Sequence, residues 1–248
     1  RLVGSEMCIR DRGAQSTRPG AVEVGPEEEL NRLLPVLAAL RAAISSGALA
    51  PAPLLSIDTF DAAVAEAALT AGADWLNDVR GASSLRDPAM LPLVAAQGCP
   101  YVVMHSRGTS ASMDGMTDYR DVVLEVRDGL LAASDQAMAA GVKPAQLIWD
   151  PGLGFAKSTE QNLALLRGLA TLRAEGFPLL IGPSRKRFIG AVLDQPKPTA
   201  RLWGTAAVCA QAIGAGVDVL RVHDVGPLVQ TARMVDAIVR SPLDQPAA

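Results

Sequence analysis

Leu147-Ile148-Trp149-Asp150-Pro151, followed at once by Gly152-Leu153-Gly154, is an apolar run that stops on a carboxylate and a chain reversal. Five other stretches repeat the form: Leu54-Leu55-Ser56-Ile57-Asp58, Trp75-Leu76-Asn77-Asp78-Val79, Tyr101-Val102-Val103-Met104-His105, Leu179-Leu180-Ile181-Gly182-Pro183-Ser184 and Val219-Leu220-Arg221-Val222-His223-Asp224. Short unbroken runs bounded by Gly, Pro or Asp suit strands covered on both faces, as in a parallel sheet. Each run delivers polar residues at its carboxyl end, where the loops of an α/β barrel build a site.

Helical patterns fill the gaps. Pro26-Glu27-Glu28-Glu29 opens one with acids in its first turn, where the helix dipole favours them, and Leu30, Leu33, Leu34, Leu37 and Leu40 continue its apolar face. Further helices are expected over 61–70, 88–97, 119–140, 159–175, 199–214 and 227–240, with Gly141 and Gly176 closing two of them. Ser158/Thr159-x-x-Gln161 marks a capped start. The alternation runs without a linker, so residues 13–240 read as one domain and 241–248 as a tail. An open doubly wound sheet would gather ligand residues at one switch point, and no GxGxxG or Walker sequence supports it. Six decorated strand ends can face one substrate in a ring. The expected fold class is therefore α/β, a TIM (β/α)8 barrel.

Composition narrows the partners. A net charge of −3 over 248 residues advertises no nucleic-acid surface. The 4% aromatic content, beside much Ala, Leu and Val, suits helices on a parallel sheet better than a β-sandwich. Cys8, Cys99 and Cys209 are far apart and lack metal spacing, which fits a reducing cytoplasm. No apolar stretch reaches the roughly 18 residues of a membrane span. Partners are expected to be small molecules, with no nucleic acid and no membrane.

Taken singly, the polar residues leave alternatives open. Asp58 could cap the next helix, and Asn77-Asp78 and Asp150-Pro151-Gly152 could be turn chemistry. Met104 alone reads as core; His223, one of two histidines, is more suggestive of a site, with a structural histidine as the alternative; Asp114 and Asp118 read as surface loop. Ser184-Arg185-Lys186-Arg187 could be a solvated basic turn. Arg221 and His223, two residues apart on one strand, point to the same side.

Taken in order, the clusters resemble dihydropteroate synthase, the pterin-binding TIM-barrel family of folate biosynthesis. Ser16-Thr17-Arg18-Pro19-Gly20 is similar to its second loop, and Asp58-Thr59, Asn77-Asp78-Val79 and Met104-His105 to its third, fourth and fifth strand ends. Asp150-Pro151-Gly152-x-Gly154-Phe155-x-Lys157 and Gly182-x-Ser184-Arg185-Lys186 resemble its two most specific signatures, and Arg221-Val222-His223-Asp224 its last strand.

The resemblance implies a transferase that joins 6-hydroxymethyl-7,8-dihydropterin diphosphate to p-aminobenzoate, with Mg²⁺ as cofactor and a homodimer as the family expectation. Carried onto this chain, Asp58, Asn77 and Asp150 would read the pterin edge, Met104 and Phe155 would contact its ring, and Lys186 would donate to it. Arg221 and His223 would hold the diphosphate, and Arg18 and Thr17 would reach it too or close over the aniline. Ser184, with Arg185 or the Thr17–Pro19 loop, would meet the p-aminobenzoate carboxylate, and Gly182 would be a further substrate-binding residue.

The front of the chain departs from the pattern. The family opens with a strand ending in an Asn-x-Thr-x-Asp-Ser-Phe-Ser segment, whose Asn helps hold Mg²⁺, and no metal ligand is assigned here in its absence. A second apolar strand ending in Asp-x-Gly is expected before Gly13, whereas Ser5-Glu6-Met7-Cys8-Ile9-Arg10-Asp11-Arg12 offers little apolar length. The expectation is thus a truncated reading frame whose residues 1–12 are a non-family start, with strand one and most of strand two missing, and with low solubility and activity. Two alternatives share the fold: a pterin-binding methyltransferase acting on methyltetrahydrofolate, and a catalytically impaired pterin-binding homologue.

Overall fold

Alternation along each strand sorts its side chains into two layers, one facing helices and one facing a common interior. The computed structural model describes residues 9–18 and 20–240. Its strands, all parallel, are β1 (Ile9–Arg12), β2 (Leu54–Asp58), β3 (Trp75–Asp78), β4 (Tyr101–Met104), β5 (Leu147–Asp150), β6 (Leu180–Ile181) and β7 (Val219–Leu220). The helices are α1 (Pro26–Ser45), α2 (Ala62–Thr70), α3 (Met90–Gln97), α4 (Val122–Ala139), α5 (Thr159–Arg167), α6 (Leu169–Arg173), α7 (Arg187–Leu193), α8 (Leu202–Gly214) and α9 (Val225–Val239).

Strands β1 to β5 pair in sequence order, a bridge between Trp149 and Leu179 joins β5 to the next stretch, and β6 pairs with β7. The row curls into a barrel. One residue from every strand meets in a single apolar cluster: Ile9, Leu54, Trp75, Val102, Ile148, Leu180 and Val219. That cluster is a filled interior layer. The alternate residues Leu55, Ile57, Leu76, Tyr101, Val103, Leu147, Trp149 and Ile181 face outward into the larger core beneath the helices.

All six apolar runs become strands, as expected. The segment before Gly13 corrects the reading: Ile9–Arg12 is a strand, with Ile9 opposite Leu54 and Arg12 opposite Ile57. Its exposure alternates, so one inward apolar residue, Ile9, suffices where a long apolar run was sought. Residues 9–12 therefore belong to the sheet rather than to a foreign start. Residues 1–8, Pro19 and 241–248 lie outside the described residues.

The expected helix over 159–175 divides at Gly168, where a side chain would run into Val123 of α4. Its Ser158/Gln161 capping box is present. Helix α7 was not foreseen, because Arg187 to Leu193 is too short for a clear period. No helix among the described residues is long and apolar enough to cross a membrane. Cys99 and Cys209 are buried free thiols.

Candidate active site

The inward positions change character along most strands. Apolar at the amino end, they turn polar at the carboxyl end: Ile9 gives way to Asp11, Leu54 to Ser56 and Asp58, Trp75 to Asn77, Ile148 to Asp150, and Val219 to Arg221 and His223, whereas β4 keeps an apolar residue, Met104, after Val102. Adjacent pairs in register, Asp58 with Asn77 and Met104 with Asp150, line one rim. The geometry thus gathers residues from distant stretches at a single mouth.

Asp58, Asn77, Met104 and Asp150 are all buried there. Asp58 does not cap α2: Asp61 does, accepting from the N–H groups of Ala63 and Val64. The side-chain oxygen of Asn77 is buried without a hydrogen-bond partner. A buried polar group is ordinarily hydrogen-bonded, so this oxygen is free to accept from a molecule entering the mouth. Asp78, its neighbour, faces the other way and is satisfied by Tyr101 Oη–H at 2.7 Å and by the N–H of Arg80.

Arg221 organises the acids. Its Nε donates to Asp11 Oδ2 at 2.5 Å and its Nη2 to Asp58 Oδ2 at 2.6 Å, while Ser56 Oγ donates to Asp11 Oδ1. Burial first, then the Asp11 charge, pushes the Asp58 carboxyl up to about 7, against Arg221. Burial likewise raises Asp150, opposed by the Gly152 N–H and by Lys186.

Asp11 is the site residue that sequence reasoning passed over. Its signal was present, since Asp11-Arg12-Gly13 is itself the expected Asp-x-Gly. The strand that carries it has one inward apolar residue, Ile9, and so lacks the apolar run that marks the others.

Lys186 lies half-buried at the start of α7, its ammonium 4.4 Å from the centre of the Phe155 ring, a cation–π contact. Burial lowers it to about 8, with Asp150 acting in the opposite sense. Ser184 is buried and its Oγ sits 2.9 Å from His223 Nδ1, also accepting from the His223 N–H. Burial, then Arg185, Arg18 and Arg221, lower His223. Gly182 lies beside Arg221, within van der Waals reach of its Cβ.

Arg185 is held elsewhere. Its guanidinium makes a two-pronged pair with Asp224 at 3.0 and 2.5 Å, and its backbone takes a left-handed conformation fixed by Arg201 and Thr205. Asp114, read as surface loop, pairs with the exposed Arg187. The loop after β1 carries Thr17 and an exposed Arg18 over this mouth. It is tied down by Gln15 to the buried Glu29 at 2.6 Å, by the Gly20 N–H to Ser110 O at 2.8 Å, and by Ser110 Oγ to Ala21 O.

A family model for pterin binding enzymes matches residues 7–223, which includes β1. The chain is 48% identical over 239 residues to a dihydropteroate synthase of Synechocystis, covering 96% of this chain and 80% of that one. It is 46% identical over 242 residues to a dihydropteroate synthase of Mycobacterium leprae, covering 95% and 82%. Among solved structures, a Xanthomonas albilineans dihydropteroate synthase with 4-aminobenzoic acid superposes at a TM-score of 0.85 with 40% identity, covering 96% and 81%.

Proposed function

The chain belongs to the pterin-binding enzymes, in their dihydropteroate synthase branch, and from that membership we propose how its own side chains divide the reaction. The enzyme condenses 6-hydroxymethyl-7,8-dihydropterin diphosphate with p-aminobenzoate, yielding 7,8-dihydropteroate and pyrophosphate, a transferase step of folate biosynthesis. The observation that carries the assignment is the buried amide of Asn77 in register with the inward carboxylate of Asp58, on the rim that also holds Asp150.

A reduced pterin presents amide and amino donors beside ring acceptors. Asp58 and Asp150 accept from that edge, while Asn77 both accepts and donates. Fixed polar groups of this kind discriminate strongly, because an analogue lacking a partner leaves them unpaired. Met104 and Phe155 cover the ring, and Lys186, drawn over Phe155, donates to it.

Pyrophosphate departure puts negative charge on oxygen while the pterin methylene becomes cationic. Arg221, His223, Arg18 and Thr17 receive the diphosphate. The delocalised dihydropterin stabilises the methylene, so the leaving group departs ahead of attack, in an SN1-like displacement. The aniline nitrogen is nucleophilic as it stands, and no strong base is needed. Alignment and charge stabilisation carry the rate. With the Arg185 guanidinium committed to Asp224, the p-aminobenzoate carboxylate falls to Ser184 and to the loop bearing Thr17.

The Mg²⁺ implied by the resemblance meets a poor donor set. Asp11 and Asp58 both answer Arg221, and no three His, Cys, Asp or Glu side chains come together among the described residues. The described residues do not build a magnesium site, and the steps above are those of the side chains.

We also propose a cytoplasmic homodimer. Helices α8 and α9 pack on each other and leave Trp203, Met234 and Ile238 largely exposed. Light scattering that returns a single 25.8 kDa mass would sink this. For the reaction itself, a pyrophosphate assay run with and without p-aminobenzoate is the test. Release that needs the amine supports the reading, and release indifferent to it overturns it.

A further inference from the structure

Lys157 belongs to the Asp150–Lys157 signature, yet the reaction above gives it no task. Its ammonium is buried and meets three acceptors: Gly152 O at 3.1 Å, Phe155 O at 3.0 Å and His105 Nδ1 at 3.2 Å. An ammonium has three donors and no lone pair, so this set suits a charged lysine facing a neutral His105 that carries its proton on Nε2. Burial, then the Lys157 charge, lower His105; burial also lowers Lys157, to about 7, with Asp150 acting in the opposite sense, and the three acceptors around its nitrogen favour the charged form.

The same turn is gripped from strand β4. The His105 N–H donates to Asp150 O at 2.9 Å, and the Gly152 N–H donates to Asp150 Oδ1 at 2.8 Å. Gly152 takes φ +68°, with His105 O standing where a Cβ would project. Asp150 and Phe155 therefore sit on one short loop whose carbonyls converge on a single buried cation.

We infer that Lys157 is a positioning residue for pterin recognition: by clamping the Gly152 and Phe155 carbonyls it sets the Asp150 carboxylate and the Phe155 ring at the rim. This rests on the assignment of Asp150 and Phe155 to the pterin. Lys157 touches neither substrate nor reacting atoms in this scheme. Its effect reaches the ligand through backbone geometry, where small misplacements are costly.

The test compares K157M, which keeps much of the volume and removes the donors, with D150N and with S134A. Ser134 Oγ accepts from Trp149 Nε1 at 2.8 Å on the outward face of β5, so S134A loosens the same strand away from the mouth. Affinity for 6-hydroxymethylpterin is read by fluorescence titration, with KM for both substrates and thermal midpoints alongside. K157M should weaken the pterin and raise the pterin diphosphate KM roughly tenfold, leaving the p-aminobenzoate KM within about twofold at saturating pterin. S134A should keep pterin affinity at a comparable loss of midpoint. Pterin affinity in K157M equal to wild type, or lost equally in S134A, overturns the inference. D150N that binds pterin normally sinks instead the assignment beneath it. Should K157M not fold, K157Q is read in its place against the same outcomes.

Discussion

Arg221 Nε and Asp11 Oδ2 lie 2.5 Å apart, joining β7 to β1 where the described strands form no ladder with each other. The guanidinium reaches Asp58 as well, so three strand ends close on one cation. Before substrate enters, the cation assigned to the diphosphate is thus already engaged by two acids. The incoming anion must compete for it, and the freed carboxylates then face the pterin.

Replacing Arg221 separates these duties. R221A leaves Asp11 and Asp58 without their shared partner and should lower kcat/KM on the order of 10²-fold. Its stability cost should stay at about 1–2 kcal/mol, since the guanidinium is half-exposed and solvent screens the pair. R221K keeps the charge but lacks the fork that spans two carboxylates, and should recover only part of the activity. Steady-state kinetics and urea midpoints for both variants check this; equal recovery by lysine would rule the fork out.

Asp58 makes a pH prediction with a definite sign. Its carboxyl is raised by burial from 3.8 to about 7, so between those values the folded chain binds the extra proton. This group's contribution to stability then falls as pH rises through that window. Pterin recognition runs the other way, because the ionised form is the better acceptor. Urea midpoints should therefore fall, and pterin affinity rise, as pH climbs towards about 7. D58N should flatten both trends, and an unchanged affinity step in D58N would exclude Asp58 as its source.

His223 predicts proton uptake. Burial, then three neighbouring arginines, hold its imidazole below the usual 6.5, so stability from this group is lost as pH falls below that value. A diphosphate beside it favours the imidazolium and draws a proton in. Calorimetry of pyrophosphate binding in buffers of different ionisation enthalpy should show more uptake in wild type than in H223Q. Identical uptake in the two would remove His223 from the anion site.

The barrel was largely legible because both faces of its central strands are covered, which writes β2 to β5 as unbroken apolar runs. Strand β1 was hidden by the same physics. Only Ile9 points into the filled interior, and Arg10 and Arg12 are exposed, so no run forms. Strand periodicity could find Asp58, Asn77, Asp150, Arg221 and His223, whose inward side follows from their neighbours. It could not say that Arg185 turns to Asp224, or that Lys157 gathers loop carbonyls. Those outcomes depend on left-handed backbone at Arg185 and Gly152, set by tertiary contacts.

Asn77 and Asp78 offer the sharpest test, because adjacent residues on one strand serve opposite faces. Asn77 stands in the mouth with an unpaired oxygen, whereas Asp78 holds Tyr101 beneath the helices. Burial raises the Asp78 carboxyl to about 6, with the Tyr101 and Arg80 hydrogen bonds opposing it. N77A removes no internal bond from that oxygen, so it should raise the pterin diphosphate KM by about tenfold or more with little change in thermal midpoint. Y101F leaves Asp78 short of a donor and should cost about 1–3 kcal/mol while pterin KM stays near wild type. If Y101F shifts KM as far as N77A does, β3 does not divide its polar residues between support and recognition, and the inward-facing reading of Asn77 fails with it.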